Sequence, residues 1–435
     1  YGSVGKAATS GIDFLMIYLG PSLVAFSWFY ILRRIIRISK ENNVSSIADF
    51  ISLRYGNSQL LGSLVTLIAL LGIMPYIALQ IKAVVSSFAL VSGVTGHTIA
   101  LPSVELPFSL PTGLTLAILL SLFGVVFGAR RLPSSERHEG LVAAVAFESI
   151  VKLASLLGVG IFVTWFMFHG FSDILERFHS RFPELFTRLF TLRPTEGNGD
   201  IPASTMLFLS MGASLLLPRQ FHVLVIENAD LRHISKAMWL FPCYMFLINL
   251  FIMPIALGGI LQTGSTSGAD YFVISLPLAA GNEAIALLAF LGGLSAAAGM
   301  VMVESVAIST MLLNNLFMPV IVRITPKQWF PLLLLNLKRL AIFIVVFLGY
   351  FYYRAVGDSF MLVNMGLISF LAAMQFMPAL LGGLYWQRGN RIGAITGMLF
   401  GFLVWSYTLL LPSFFAASPA SPIMRDGLFG QALLK

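Results

Sequence analysis

The sequence of 435 residues is poor in charge and nearly free of cysteine. Asp, Glu, Lys and Arg make up 11% of it, and because a soluble domain is about one-quarter charged, the composition excludes an ordinary soluble protein. The single cysteine, Cys243, excludes an internal disulfide and a cysteine-based metal site. No phosphate-binding glycine loop, HExxH motif or nucleophile elbow occurs either. We therefore expect no catalytic residue, no metal and no cofactor, and a membrane enzyme is disfavoured.

Long apolar runs fill the rest of the chain. Hydrophobic residues make up 57% and the mean hydropathy is +0.88, and runs of about 18 or more apolar residues are typical of membrane-spanning helices. The pattern predicts an all-α membrane protein, a multi-span helical bundle. The predicted spans cover residues 12–32, 60–91, 113–129, 140–168, 203–222, 236–262, 284–313, 332–353, 361–386 and 391–411.

The basic residues fall mainly in the connections between spans. The net charge is +8, but this placement follows the positive-inside rule and disfavours nucleic-acid binding. Most Lys and Arg follow the odd-numbered spans, so that side is predicted to be cytoplasmic and Tyr1 lies outside. Residues 170–200 place Phe and Leu at helical spacing among charges, which predicts an external interfacial helix. Residues 413–435 are expected to be an external linker towards a further span.

Charged and polar side chains inside predicted spans are the candidate functional residues, because burying them in the bilayer is costly. Glu148 and Lys152 are four residues apart and can pair on one helix face. They are either a structural charge pair, or a gate or proton relay. Gln80 is a candidate substrate contact. Pro218 breaks a helix beside His222, as at transporter binding sites, although an ordinary helix end is the competing interpretation.

The segment LLAFLGGLSAAAGMVMVESVAIST, residues 287–310, combines small residues with one carboxylate. At 100° per residue, one stripe holds Gly293, Ala297, Met300 and Glu304, and an adjacent stripe holds Gly292, Ser295 and Gly299. Close helix packing explains the small residues. It does not explain Glu304, so the segment is predicted to form the wall of a binding site.

Two segments resemble the sodium:solute symporter family. MQFMPALLGGLYWQRGNRIGAITGMLFGFLVW at 374–405 has a Gln-Phe-x-Pro helix and a Gly-Leu-Tyr-Trp-x-Arg end, and VSSIADFISLRYGNSQLLG at 44–62 is similar to a family loop. Three further segments resemble one branch, the symporter-like N-terminal membrane domain of bacterial sensor histidine kinases. These segments are SERHEGLVAAVAFESIVKL, LPRQFHVLVIENAD and GGLSAAAGMVMVESVAIS.

The resemblance implies a five-plus-five inverted-repeat transporter in residues 1–412, with a site near the middle of the bilayer. The chain is expected to begin at the end of the family's first core helix and thus to be N-terminally truncated. The family's sodium ligands on the eighth core helix align with Gly299 and Met300, which offer no hard oxygen to sodium. The resulting hypothesis is either proton coupling or a sensor that binds its ligand with little transport. Glu304 is the candidate proton carrier, and Ser295, Gly299 and Met300 are the other candidate coupling positions. The rival interpretation is that Glu304 pairs with a neighbouring helix.

The resemblance implies a domain of the bacterial cytoplasmic, or inner, membrane that binds and carries a small polar solute such as an amino acid. Its partners would be the solute, a coupling ion (proton or sodium) and the lipid bilayer. By helix position, Gln80, His222 and Gln375 are the predicted substrate contacts. In the first interpretation the domain is the sensory input of a two-component histidine kinase with a response regulator. The alternative is a stand-alone ion:solute symporter.

Overall fold

The computed structural model describes residues 1–92, 111–129, 139–191, 202–324, 330–356 and 361–415. Within these ranges the regular elements are helices, and no strand occurs. The predicted all-α fold is confirmed.

Twenty-one α-helices follow one another in the described ranges. The first seven are α1 Gly2–Ser10, α2 Met16–Ser27, α3 Ile31–Glu41, α4 Ile47–Arg54, α5 Gln59–Val91, α6 Thr112–Gly128 and α7 Glu139–Ile161. The next seven are α8 Phe171–Arg181, α9 Pro183–Phe190, α10 Ala203–Leu216, α11 Pro218–Phe221, α12 His233–Asn249, α13 Ile252–Thr263 and α14 Phe272–Ala279. The last seven are α15 Glu283–Leu312, α16 Met318–Ile324, α17 Phe330–Val356, α18 Leu362–Met374, α19 Met377–Tyr385, α20 Arg391–Trp405 and α21 Leu411–Phe415. Four π-helical turns extend α-helices, at Phe162–Met167, His222–Ile226, Leu313–Phe317 and Ser406–Leu410.

All ten predicted spans fall on helices. Eight described helices are long and apolar enough to cross a membrane, and a ninth span results if the bent pair α10 and α11 counts as one. The remaining predicted span, 113–129, corresponds to α6, which has 17 residues. The chain is an integral membrane protein.

The connection at 170–200 forms two short helices, α8 and α9. Ile174 and Phe178 of α8 are buried while its charged face is exposed. The Arg181 guanidinium donates a hydrogen bond of 2.9 Å to the carbonyl of Leu261 and holds α8 against the end of α13. Residues 192–200, and the predicted linker after Phe415, lie outside the described residues.

Helix α5 lies at the centre of the bundle. It is apolar on all sides, which is typical of a helix buried all round, and 72% of its most apolar 18-residue window is buried. α5 packs against α15, α17 and α18, and its buried side chains join those of α15 and α17 in the largest core cluster. α5 and α15 therefore pack against each other in the core of the bundle, and both contribute residues to the site described below.

A hydrogen-bonded contact joins the end of α15 to α4 and α5, and we call it the inner-end contact. The side-chain amide of Asn315 donates a hydrogen bond of 3.0 Å to Oδ1 of Asp49. The main-chain carbonyl of Asn315 accepts hydrogen bonds of 2.8 Å from the side chains of Gln59 and Ser63. The side-chain amide of Asn314 donates a hydrogen bond of 2.7 Å to the Ser45 hydroxyl. The π-helical turn presents both asparagines to the facing helices, because a wider turn redirects neighbouring side chains.

Candidate functional site

A break between α10 and α11 opens the middle of the bundle. Leu217 has an extended backbone (φ −61°, ψ 134°), Pro218 begins α11, and the two helices meet at 49°. Pro218 has no N–H to continue the helix from α10. The break places Arg219 and Gln220 at the wall of a cavity.

The cavity has a volume of about 420 Å³ and lies among α1, α2, α5, α7, α12, α15 and α18. Its size is within the range of small-molecule sites. The charged and amide side chains that line it are Lys152, Arg219, Gln80 and Gln220. The hydroxyl groups come from Tyr1, Ser3, Tyr18, Tyr76, Ser155 and Tyr244. The remaining wall is mostly apolar, so the cavity combines an apolar body with a few polar groups, as solute sites do.

One stripe of α15 forms a wall of this cavity. The lining residues are Ala289, Gly292, Gly293, Ala296 and Met300, which repeat at helical spacing. Gly293 and Met300 lie where the sequence analysis placed them, but Ala297 is buried against protein and Ala296 lines the cavity instead. Small side chains bring neighbouring elements close, since an added Cβ at Gly292 would overlap Ser155.

Gly299 does not line the cavity; it lies under the carboxylate of Glu148 from α7. A Cβ atom added at Gly299 would overlap Oε2 of Glu148. The ammonium of Lys152 lies 3.9 Å from Oε1 of the same carboxylate. The acidic member of the predicted pair is therefore packed against the backbone of α15, and the basic member reaches the cavity.

Glu304 lies one turn below Met300 and is completely buried. Neither of its carboxylate oxygens has a side-chain hydrogen-bond partner among the described residues. Arg219 is the charged residue that faces it, through both the main-chain N–H and the guanidinium. Glu304 therefore lies behind the cavity wall, and Ser295, another candidate coupling residue, also lies outside the lining.

Three side chains close the cavity on the side of Glu304. The Tyr76 hydroxyl donates a hydrogen bond of 3.2 Å to the sulfur of Met300. The Arg219 guanidinium lies 5.1 Å from the centre of the Tyr76 ring, a cation–π contact. Met300, Tyr76 and Arg219 thus form the floor of the cavity, with Glu304 beneath it.

Of the three predicted substrate contacts, only Gln80 lines the cavity. His222 lies in the π-helical turn after α11, where its Nε2 is 3.2 Å from Oε1 of buried Glu227. Gln375 follows α18 and packs against Gly401, where an added Cβ would overlap its amide oxygen. The structure therefore places His222 and Gln375 away from the cavity.

The sequence analysis did not assign Arg219, Tyr76 or Tyr244 to the site. Arg219 directly follows the predicted break, for which a binding site and an ordinary helix end are competing interpretations, and the two tyrosines stand alone within apolar runs. The available signal was the break itself, since residues that directly follow an interrupted helix line transporter sites. Among the described residues, no group of three or more His, Cys, Asp and Glu could hold a metal ion.

The chain is similar to two symporters, although no family model matches it. It is 23% identical over 379 residues to the uncharacterized symporter YhjB of Bacillus subtilis (strain 168), covering 86% of this chain and 70% of that protein. A solved structure of a Na⁺-coupled sialic acid symporter, substrate-bound and outward-open, matches with a TM-score of 0.59. That match covers 99% of this chain and 83% of the other at 14% identity. The chain has the fold of a symporter.

Proposed function

We propose that the protein is a symporter that carries a small polar solute, such as an amino acid, across the bacterial cytoplasmic membrane. The observation that carries this proposal is the cavity at the broken helix, lined by cations, amides and hydroxyls inside an apolar bundle. Charged side chains inside a membrane bundle are costly to bury, and those that line a cavity at a helix break mark the path of a solute or ion. The symporter relative and the symporter fold agree with it.

Protons are the coupling ion that we propose. Gly299 and Met300 carry no hard oxygen, and the space beside Gly299 is filled by the Glu148 carboxylate. Glu304 is the second buried carboxylate of the site, and either group can carry a proton. Sodium is the competing ion, because a carboxylate oxygen suits it and the solved symporter is Na⁺-coupled.

The test is uptake of radiolabelled amino acids and carboxylic acids into proteoliposomes, with proton and sodium gradients imposed separately. We expect the proton gradient alone to drive uptake. Glu304→Gln should abolish the dependence on pH, whereas Glu283→Gln, at the exposed start of the same helix, should leave it unchanged. Uptake that requires sodium, or a Glu304→Gln variant with an unaltered pH profile, would contradict proton coupling by this residue.

The kinase-linked interpretation, in which the domain is the sensory input of a histidine kinase, is a further proposal. It rests on the three resembling segments, whereas both similar proteins are described as symporters. The stand-alone symporter therefore fits at least as well. Solute-dependent phosphorylation of a histidine in the full-length protein, passed to a response regulator, would support the sensor, and a chain without a kinase domain would exclude it.

A further inference from the structure

The charged side chains that reach the cavity are both cationic. Among the described residues of the lining, these are Lys152 and Arg219, and no Asp or Glu accompanies them. They lie close enough for their charges to interact. Two like charges that share one cavity are repulsive, and a bound anion would relieve that repulsion.

The carboxylates of the site lie behind the cations rather than between them. Lys152 Nζ is 3.9 Å from Glu148 Oε1, longer than a hydrogen bond, and its side chain is 26% exposed whereas that of Glu148 is 9% exposed. Arg219 has no carboxylate within 4.0 Å among the described residues. Both cations therefore retain hydrogen-bond donors that can serve a ligand.

The hydroxyl groups of the wall offer little to an anion, because several donate within the protein. The Tyr76 hydroxyl donates a hydrogen bond to the sulfur of Met300. The Tyr244 hydroxyl donates a hydrogen bond of 3.1 Å to the carbonyl of Ser149, and the Ser155 hydroxyl donates one of 2.9 Å to the carbonyl of Leu288. The two cations are therefore the strongest donors that the wall offers to an anion, and the side-chain amides of Gln80 and Gln220 are the neutral donors beside them. A ligand ammonium group would find no carboxylate on the described wall.

We propose that the cavity binds a small monocarboxylate, with its carboxylate held by Lys152 and Arg219 and its apolar body against the remaining wall. Arg219 supplies the planar fork that suits a carboxylate, and Lys152 supplies a point charge. This inference rests on the proposed function and narrows its solute: a carboxylic acid without an amine is favoured over an amino acid.

Charge balance connects this ligand with symport. Glu148, Lys152, Arg219 and Glu304 carry no net charge when all four are ionised, so one bound carboxylate leaves the cluster with a charge of −1. An uncompensated charge inside an apolar bundle is unfavourable. One proton or cation that enters with the solute restores neutrality, which favours a monoanion over a dianion.

The test is equilibrium binding to the purified full chain, measured by calorimetry in detergent with matched probes. The probes are 3-methylbutanoate, its amide and valine, then phenylacetate, its amide and phenylalanine, and finally N-acetylneuraminate. We expect at least one acid to bind about tenfold or more tightly than its amide, because only the acid forms charge-assisted hydrogen bonds. Its amino-acid counterpart should bind more weakly than the acid.

Substitutions of Lys152 and Arg219 test whether these two cations cause the tighter binding of the acid. Arg219→Gln and Lys152→Gln should each reduce the acid-to-amide ratio about tenfold or more. Arg219→Lys, which keeps the charge and folds with less disturbance, should retain part of the ratio. Lys338→Gln removes a buried cation of α17 that does not line the cavity, and it should leave the ratio unchanged.

The outcomes separate this inference from the proposed function. Equal binding of acids and amides, tighter binding of the amino acids, or no binding of any acid would overturn the monocarboxylate site. A preference for acids that persists in both Gln variants would overturn the assignment of the residues. Binding of acids without gradient-driven uptake would leave this inference standing and overturn symport.

Discussion

The contact between Gly299 and Glu148 predicts how one methyl group changes the stability of the protein. Gly299→Ala places a Cβ atom where the Glu148 carboxylate lies, and forcing an extra carbon into a packed site costs about 1–3 kcal/mol. Alanine also favours the helix over glycine by about 0.5–1 kcal/mol. We expect a net decrease in the free energy of unfolding of up to about 2.5 kcal/mol.

Gly397→Ala is the matched control. Gly397 lies in α20 with no atom within 4 Å of an added Cβ, so this variant gains the helix preference without a steric cost. The difference between the two variants isolates the overlap with Glu148. Unfolding in mixed micelles, followed by circular dichroism, should place Gly299→Ala below the wild type and Gly397→Ala at or above it.

A double-mutant cycle tests whether the Glu148 carboxylate causes the loss of stability in Gly299→Ala. In a Glu148→Ala background the overlapping carboxylate is gone, so Gly299→Ala should become neutral or stabilising, with an interaction energy of about 1–3 kcal/mol. An equal loss of stability in both backgrounds would refute the proposed packing of Glu148 on Gly299.

Two further predictions concern residues outside the cavity. Asn315→Ala removes the donor to Asp49 at the inner-end contact and should lower the free energy of unfolding by about 1–3 kcal/mol. The control is Asn42→Ala, which removes an exposed amide that bonds the carbonyl of Ile38 in the preceding helix and should lower the free energy of unfolding less. Equal losses in the two variants would show that the inner-end contact adds no stability. The Arg232 side chain and main-chain N–H hold the pKa of Asp230 at about 2. Because a lowered pKa matters only as the pH falls towards that value, Asp230→Asn should leave the uptake profile between about pH 5 and pH 8 unchanged, and an altered profile would contradict this.

The helices could be predicted from the sequence because apolar runs of the required length are a strong and local signal. The break at Pro218 was equally local, since proline lacks the N–H that the helix needs. Helix α14 was missed because eight apolar residues are too few for a span. Nothing in that segment's own sequence reveals that it packs against α15.

The site was predicted less well because it depends on contacts between distant segments. Glu304 lies on the predicted stripe, yet only the fold shows that Met300 and Tyr76 separate it from the cavity. Arg219 reaches the cavity because the chain bends at the break, and the sequence does not give the direction of that bend. His222 turns instead towards Glu227.

The inner-end contact has a consequence for the surroundings in which the protein works. Asn314, Asn315, Gln59 and Ser63 are uncharged, and Asp49 is the one acidic partner of this contact among the described residues. Electrolyte screens pairs of exposed charges strongly but affects neutral amide and hydroxyl bonds little. The contact therefore depends less on the salt concentration of the surrounding solution than a pair of exposed opposite charges would.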